Sequence, residues 1–170
     1  MSNRIELTEA GRILSNIGNR LIQSQNILKL VSINSPDALY HPDISMKEII
    51  KLTGKGDKPK EQRRIFNTPF NKIITDDIRS EIRYYIPIFK PNNIYLTEIK
   101  VCFQIIVDNT LWDIDDNGVR PIIMLQEILK LFNGYDIGSI GLLELDAPIP
   151  IYNWDDGHAG YLVSFHTRTV

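Results

Sequence analysis

The sequence predicts an α+β fold, in which one long helix packs on a largely antiparallel sheet. Three observations predict it: two alternating segments joined by a tight turn, one amphipathic helical segment after them, and two further strand-like segments near the end. Alternation puts successive side chains on opposite faces of a strand, whereas apolar residues three or four positions apart line one face of a helix. This element order is typical of α+β domains.

The first part of the chain is predicted to hold an N-terminal helix, a short strand and a second helix. Apolar residues recur at helical spacing within residues 4–25, and Asn3 with Glu6 matches a capping box. The apolar run Asn26–Ile33 (NILKLVSI) favours a strand. Ser45–Leu52 favours a short helix.

Small residues form a stripe on the predicted N-terminal helix at Gly11, Ser15 and Gly18. Two interpretations stay open. The stripe is either a pair of poor helix positions left on the surface, or a groove that a helix or a neighbouring subunit approaches closely.

Residues 80–108 predict an antiparallel hairpin. Ser80–Phe89 alternates, Pro91–Asn93 makes the turn, and Ile94–Asp108 is the longest alternating segment of the chain. One face of the second strand is expected to meet the core. That face carries Tyr95, Thr97, Ile99, Val101, Phe103, Ile105 and Val107, and the other carries Glu98, Lys100, Cys102 and Gln104.

A helix and two strands are predicted to complete the sheet. Apolar residues from Val119 to Phe132 have helical spacing, Pro121 suits the first turn, and Asn133-Gly134 predicts the end. Ser139–Ala147 and Ala159–Thr169 favour strands, joined by a turn-rich linker (PIPIYNWDDGH). Residues 80–170 are thus expected to form a strand–strand–helix–strand–strand core within a single domain of 170 residues.

The stretch Trp112–Gly118 (WDIDDNG) has the acidic spacing of the first half of a calcium loop. A complete EF-hand loop needs a bidentate carboxylate at its twelfth position, and that position here is Met124. We therefore expect a strand-to-helix junction, in which Asp and Asn side chains cap the new helix. A bound divalent cation is the alternative.

Two oppositely charged regions predict an interface with a partner. Seven basic and three acidic side chains lie between Lys47 and Arg64, a balance of +4, whereas ten acidic and two basic ones between Asp108 and Asp156 give −8. We expect the basic loop of one copy to meet the acidic loops of the next. The expected interface residues are Lys55, Lys58, Lys60, Arg63, Arg64, Phe66, Phe70, Asp113, Asp115, Asp116, Asp155 and Asp156.

The irregular segment from Gly54 to Asn71 (GKGDKPKEQRRIFNTPFN) leaves two further alternatives open. Phe66 and Phe70 either pin this loop to its own domain or anchor an arm in a partner's pocket. The basic segment Lys55–Arg64 also suits contact with the DNA backbone, although it contains no recognisable nucleic-acid motif.

No residue set predicts a reaction, a metal or a cofactor, and we expect the protein not to be an enzyme. His41, His158 and His166 with Asp155 and Asp156 match no zinc spacing, although a small metal-dependent hydrolase would need His158 and that aspartate pair. The lone cysteine, Cys102, lies in the middle of a strand and is expected to be an inert thiol.

Composition narrows the setting in which the protein works. A hydrophobic fraction of 43%, a charged fraction of 24% and a net charge of −2 exclude global disorder and any bulk attraction to nucleic acid or anionic membranes. One cysteine excludes an internal disulfide, and we expect a reducing compartment or a particle assembled in one. We expect neither a signal peptide nor a membrane span.

Residues 80–170 resemble the core of tail-terminator and neck (head-to-tail connector) proteins of tailed bacteriophages. The resemblance rests on IYLTEIKVCFQIIVDNTLWDIDDNGVRPIIMLQEILKLFNG followed by IGLLELDAPIPIYNWDDGHAGYLVSFHTRT. In that family a long strand ends in a polar loop, a helix closes with Asn-Gly or Leu-Gly, and two strands finish the sheet. The N-terminal half, with its basic segment, departs from the family pattern.

The resemblance implies a structural virion protein that forms a ring of six or twelve copies at the head–tail junction. Such a ring would cap the tail tube or join it to the head, and its loops would line or cap the channel that DNA crosses. Its partners would be neighbouring neck, portal or tail-tube proteins, with transient contact to DNA. The protein would reside in the virion, and in the host cytoplasm before assembly.

Overall fold

A computed structural model describes residues 5–54, 62–69, 78–92, 95–116, 118–137 and 141–168. Its helices are α1 (Ala10–Leu21), α2 (Gln25–Ser32), α3 (Met46–Thr53) and α4 (Arg120–Phe132). Its strands are β1 (Ile5–Glu6), β2 (Ile65–Phe66), β3 (Ser80–Asn92), β4 (Tyr95–Asp108), β5 (Asp113–Ile114), β6 (Gly118–Val119), β7 (Leu142–Leu145), β8 (Ile151–Asn153) and β9 (His158–Arg168).

The predicted α+β class is confirmed. Within the described residues, a seven-stranded sheet has the strand order β2–β3–β4–β9–β7, while β1 pairs with β4 and β8 pairs with β9. The pairings are antiparallel except that β2 runs parallel to β3. Strands β5 and β6 form a separate small hairpin.

The core lies between one face of the sheet and the helices. The alternating face of β4 is fully buried from Ile99 to Val107, as its sequence predicts. Phe132 of α4 stacks on Phe103 with ring centroids 4.6 Å apart, and Phe165 of β9 meets Phe103 edge-on at 5.8 Å. Each such aromatic contributes on the order of 2 kcal/mol by leaving water.

The opposite face of β4 is also covered, which its polar residues did not predict. Cys102, Gln104 and Ile106 are buried. Trp154, which follows β8, donates its indole N–H to the Ile105 carbonyl at 2.9 Å. A side chain at Gly160 of β9 would collide with that same carbonyl. The linker predicted to be irregular therefore contains β8, which brings Trp154 over the sheet.

The predicted strand at Asn26–Ile33 is wrong, because this stretch forms α2. Ser24 caps the helix by accepting a hydrogen bond from the Ile27 N–H at 3.3 Å. Ile27, Leu28, Leu30 and Val31 are all at most 1% exposed, because α2 packs against both α4 and β3. The helix is short and its polar face is narrow, with Asn26 and Ser32 exposed, so its central apolar run resembles a buried strand.

The N-terminal helix is shorter than predicted, and its predicted capping box is wrong. Glu6 belongs to β1 and pairs with Tyr95 of β4, whereas Asn3 lies outside the described residues. The short helix predicted from Ser45 does form, as α3, and it begins with a capping box that was not predicted. The Ser45 hydroxyl accepts from the Glu48 N–H, and the Glu48 carboxylate accepts from the Ser45 N–H.

The hairpin of β3 and β4 extends well beyond the stretch that pairs with β9, and β1 pairs with its outer end. β9 pairs with β4 only from Lys100 to Asp108, whereas the β3–β4 ladder continues outward to Asn92 and Tyr95. Irregular pairing between Tyr85 and Ile88 surrounds Pro87, which has no backbone N–H to give to the ladder. Among the described residues, no helix is long and apolar enough to cross a membrane.

Candidate partner interface

The acidic motif forms the turn of the β5–β6 hairpin. Asp113, Asp115 and Asp116 are all exposed. The backbone N–H of Asp115 donates to the Pro36 carbonyl at 3.0 Å, and the Tyr40 hydroxyl donates to the Asp116 carboxylate. These contacts hold the turn against the segment after α2, and its carboxylates face outward.

The prediction that these acidic residues cap α4 is wrong. The N-cap residue is Val119, and no side chain caps the first turn. Asp116 has a φ of 65° and belongs to the turn of the hairpin. Strand β6 separates this turn from the start of α4. Asn117 lies outside the described residues. These carboxylates therefore do not cap the helix.

The second acidic group lies in the turn between β8 and β9. Asp155 accepts hydrogen bonds from the Gly157 N–H at 2.9 Å and from His158 Nδ1 at 2.8 Å. Burial acts to raise the pKa of Asp155, but these hydrogen bonds outweigh it and hold the pKa below its ordinary value. Asp156 is exposed and makes no ion pair with the described residues.

The described residues of the basic side, Arg63 and Arg64, immediately precede β2, the edge strand on the side of the sheet away from β9. The Arg64 N–H donates to the Leu52 carbonyl and its carbonyl accepts from the Ile82 N–H, both at 2.9 Å. These bonds fix Arg63 and Arg64 between α3 and β3. Lys55, Lys58, Lys60 and Phe70 lie outside the described residues.

Phe66 contacts its own chain. The guanidinium carbon of Arg63 lies 4.8 Å from the centroid of its ring, and that of Arg83 lies 4.2 Å away. Two cations over one aromatic face stabilise this edge by about 1 kcal/mol each. The contacts favour the interpretation that Phe66 pins the loop to its own domain.

Arg63 and the Asp155–Asp156 turn are separated by most of the width of the sheet. β2, which Arg63 precedes, lies three strands from β9 in the order β2–β3–β4–β9, about 14 Å at the usual strand spacing. In the described part of the chain, no ion pair joins Arg63 to the predicted acidic residues. Within one copy, Arg63 therefore does not neutralise the described acidic residues.

The candidate metal residues are not brought together. His41 pairs with Asp37 at 3.3 Å, His158 with Asp155 at 2.8 Å, and the third histidine, His166, with a different carboxylate. Across the ranges that the structure describes, no three His, Cys, Asp or Glu side chains are grouped to hold a metal ion.

Cys102 is buried on the far face of β4, with its sulfur 3.2 Å from the Ser164 hydroxyl. Burial raises the pKa of this thiol. The group therefore stays protonated at neutral pH and is a poor nucleophile.

Sequence reasoning missed two buried charge clusters. Arg120 is fully buried and donates to four backbone carbonyls, and burial lowers its pKa to about 10. Glu81 is fully buried between Arg79 and Arg83, at 3.3 and 2.6 Å. In the sequence, each cluster is visible only as a charged residue inside a run that is otherwise apolar or alternating.

Comparison with known proteins bears on the setting in which these surfaces work. The model of the YomW family matches residues 24–167. The chain belongs to the YomW family. No curated protein and no solved structure matches it. The YomW family is phage-associated, and this protein is accordingly a phage-associated protein. The matched residues include Arg63, Arg64 and the acidic residues of both turns.

Proposed function

We propose that the protein is a non-enzymatic structural component of a tailed-phage virion that forms a ring at the head–tail junction, as a tail terminator or a neck protein. Membership of the phage-associated YomW family supports the setting. The resemblance of residues 80–170 to terminator and neck proteins supports the place.

The separation of acidic and basic side chains on the surface carries the proposal. Asp113, Asp115 and Asp156 are exposed and have no ion pair with the described residues. Arg63 and Arg64 immediately precede β2, which lies three strands from β9, and Asp156 lies in the turn before β9. A closed ring needs a heterologous interface, in which one patch meets a different patch on the neighbour. Separate acidic and basic surfaces supply such a pair of patches.

The proposal is tested by measuring the self-association of two complementary variants. One variant carries Lys55→Gln, Lys58→Gln and Lys60→Gln, and the other carries Asp113→Asn, Asp115→Asn and Asp116→Asn. Each loses one patch, so each alone is expected to associate at least about tenfold more weakly than the unmodified chain. Mixed together, they retain one complete interface and form dimers but no rings. Sedimentation velocity at near-millimolar protein measures all three cases.

The matched control for the acidic variant is Glu6→Gln, Glu9→Gln and Asp43→Asn, which changes the net charge equally at two exposed sites and one half-buried site. This control is expected to assemble normally. An unmodified chain that stays monomeric, and that has no neighbouring copies in electron micrographs of purified particles, overturns the proposal. Normal assembly of the lysine variant combined with loss of salt-sensitive DNA affinity would instead identify a DNA-binding accessory protein.

A further inference from the structure

A cavity of about 360 Å³ lies between α1, α3, β2 and β3, apart from the acidic turns. Ligand pockets usually span about 300 to 1,000 Å³, so this one suits a small molecule rather than a dinucleotide. Its lining is partly polar, from Ser15, Asn19, Thr53 and Asn67, and partly apolar, from Ile22 and Ile65. No acidic side chain is among the described residues that line it.

Arg63 provides the charge of the cavity. Its Nε donates to the Ile65 carbonyl at 2.9 Å, and its Nη2 donates to Asn67 Oδ1 at 3.1 Å. A guanidinium has five N–H groups, so three remain without a hydrogen bond to the described residues. No carboxylate in the described ranges pairs with it. Burial lowers the pKa of Arg63, yet an arginine remains charged at neutral pH.

Tyr84 provides a second, neutral donor. Its ring packs in the core 6.4 Å from Phe103, and its hydroxyl lies over Gly18, where any side chain would collide with it. That hydroxyl makes no hydrogen bond with the described residues. Burial raises the pKa of Tyr84, so the group stays protonated and able to donate. Gly18 thus belongs to the wall of a cavity, which answers part of the question that the small-residue stripe poses.

We propose that this cavity binds a small molecule bearing an oxyanion, a phosphate monoester or a carboxylate, with Arg63 as its charged ligand and Tyr84 as a second donor. A fixed guanidinium with N–H groups that the described residues leave without an acceptor matches the geometry of such oxygens. The apolar side chains Ile22 and Ile65 suit a short organic portion. The site does not require the proposed ring, although Arg63 is also one of the residues expected at the ring interface.

Titration with inorganic phosphate, acetate and a nucleoside monophosphate, followed by NMR and calorimetry, tests the site. The protein used is the full chain with Asp113→Asn, Asp115→Asn and Asp116→Asn, so that self-association does not compete. At least one probe is expected to bind saturably and to shift resonances of residues around Gly18 and Thr53. Arg63→Gln is expected to weaken that binding about 10- to 100-fold, and Tyr84→Phe about 3- to 10-fold.

Arg64→Gln is the matched control, because it removes the same charge from the next residue, which lines a different groove. Its affinity for the probe is expected to stay within about twofold. Arg63→Lys preserves the charge and checks folding independently, and it is expected to retain part of the affinity. Absence of saturable binding by every probe overturns the site. So does an equal loss in the Arg63→Gln and Arg64→Gln variants, which would indicate general electrostatic attraction.

Discussion

At the scale of single residues, Arg120 stabilises the fold by satisfying carbonyls from separate segments. Its Nε donates to Leu111 at 2.8 Å, its Nη1 to Leu30 and Ile33 at 2.7 and 2.9 Å, and its Nη2 to Ser35 at 2.7 Å. Two of these acceptors lie at the carboxyl end of α2, where the helix dipole favours a cation. One side chain thereby ties the end of α2 to the start of α4.

Arg120→Lys is expected to lower the free energy of unfolding by about 2 to 4 kcal/mol. A single ammonium nitrogen cannot reach acceptors placed around a planar guanidinium, so buried carbonyls would lose their partners. Urea denaturation measures the change. Arg12→Lys is the control, because Arg12 is exposed and only pairs with Glu9, and its effect is expected to stay within about 0.5 kcal/mol. Equal midpoints for the two variants would contradict this role.

At the scale of elements, α2 depends on its cap at Ser24. The hydroxyl accepts from the Ile27 N–H and donates to Glu127 Oε2 of α4 at 2.8 Å. Ser24→Ala removes both contacts and is expected to cost about 1 to 2 kcal/mol in urea denaturation. Ser24→Thr retains a hydroxyl and is expected to cost less than about 0.5 kcal/mol. A threonine variant as unstable as the alanine variant would show that the hydroxyl is not the cause.

The sequence correctly predicts the elements in which apolar residues recur with the clear period of a strand or of a helix. The long alternation of β4 and the helical spacing of α4 each show one buried face, so local pattern and tertiary position agree. Strands β2 and β8, two and three residues long, exist because β3 and β9 offer pairing partners. Their sequences alone carry too few residues to show a period.

The sequence predicts the charges of the candidate site but not its geometry. The surplus of acidic residues around Asp115 can be counted from the sequence, but its place in a hairpin turn depends on Pro36 and Tyr40. The oxyanion cavity joins Gly18, Arg63 and Tyr84, which are far apart in the chain. Only the packing of α1 against β3 brings them together.

At the scale of the whole molecule, half-buried carboxylates with hydrogen-bond partners make the fold sensitive to acid. Asp146 lies 3.0 Å from Lys100 Nζ and 2.6 Å from His166 Nδ1. Burial acts to raise the pKa of Asp146, but the hydrogen bonds from Lys100 and His166 outweigh it, and the pKa is lowered. The pKa of Asp155 is lowered in the same way.

A carboxyl whose pKa is lowered by folding stabilises the protein above its unfolded pKa, which is 3.8 here, and loses that effect as the pH falls toward the folded value. The urea midpoint is therefore expected to fall as the pH drops from about 5 toward 3. The Asp146→Asn, Asp155→Asn variant is expected to be less stable at pH 7 but to fall less steeply. Identical slopes for the variant and the unmodified chain would exclude these two groups as the cause.

The outward extension of β3 and β4 also has a mechanical consequence. Past the stretch that pairs with β9, β4 continues for five residues and β3 for four, a projection of about 14 to 17 Å. The root of this projection is β4, which is held by β3 on one side and β9 on the other. A pull on the tip along the strand axis loads all of these ladder hydrogen bonds in shear at once, so the force spreads over the centre of the sheet. The projection can therefore bear tension that would peel an edge strand away bond by bond.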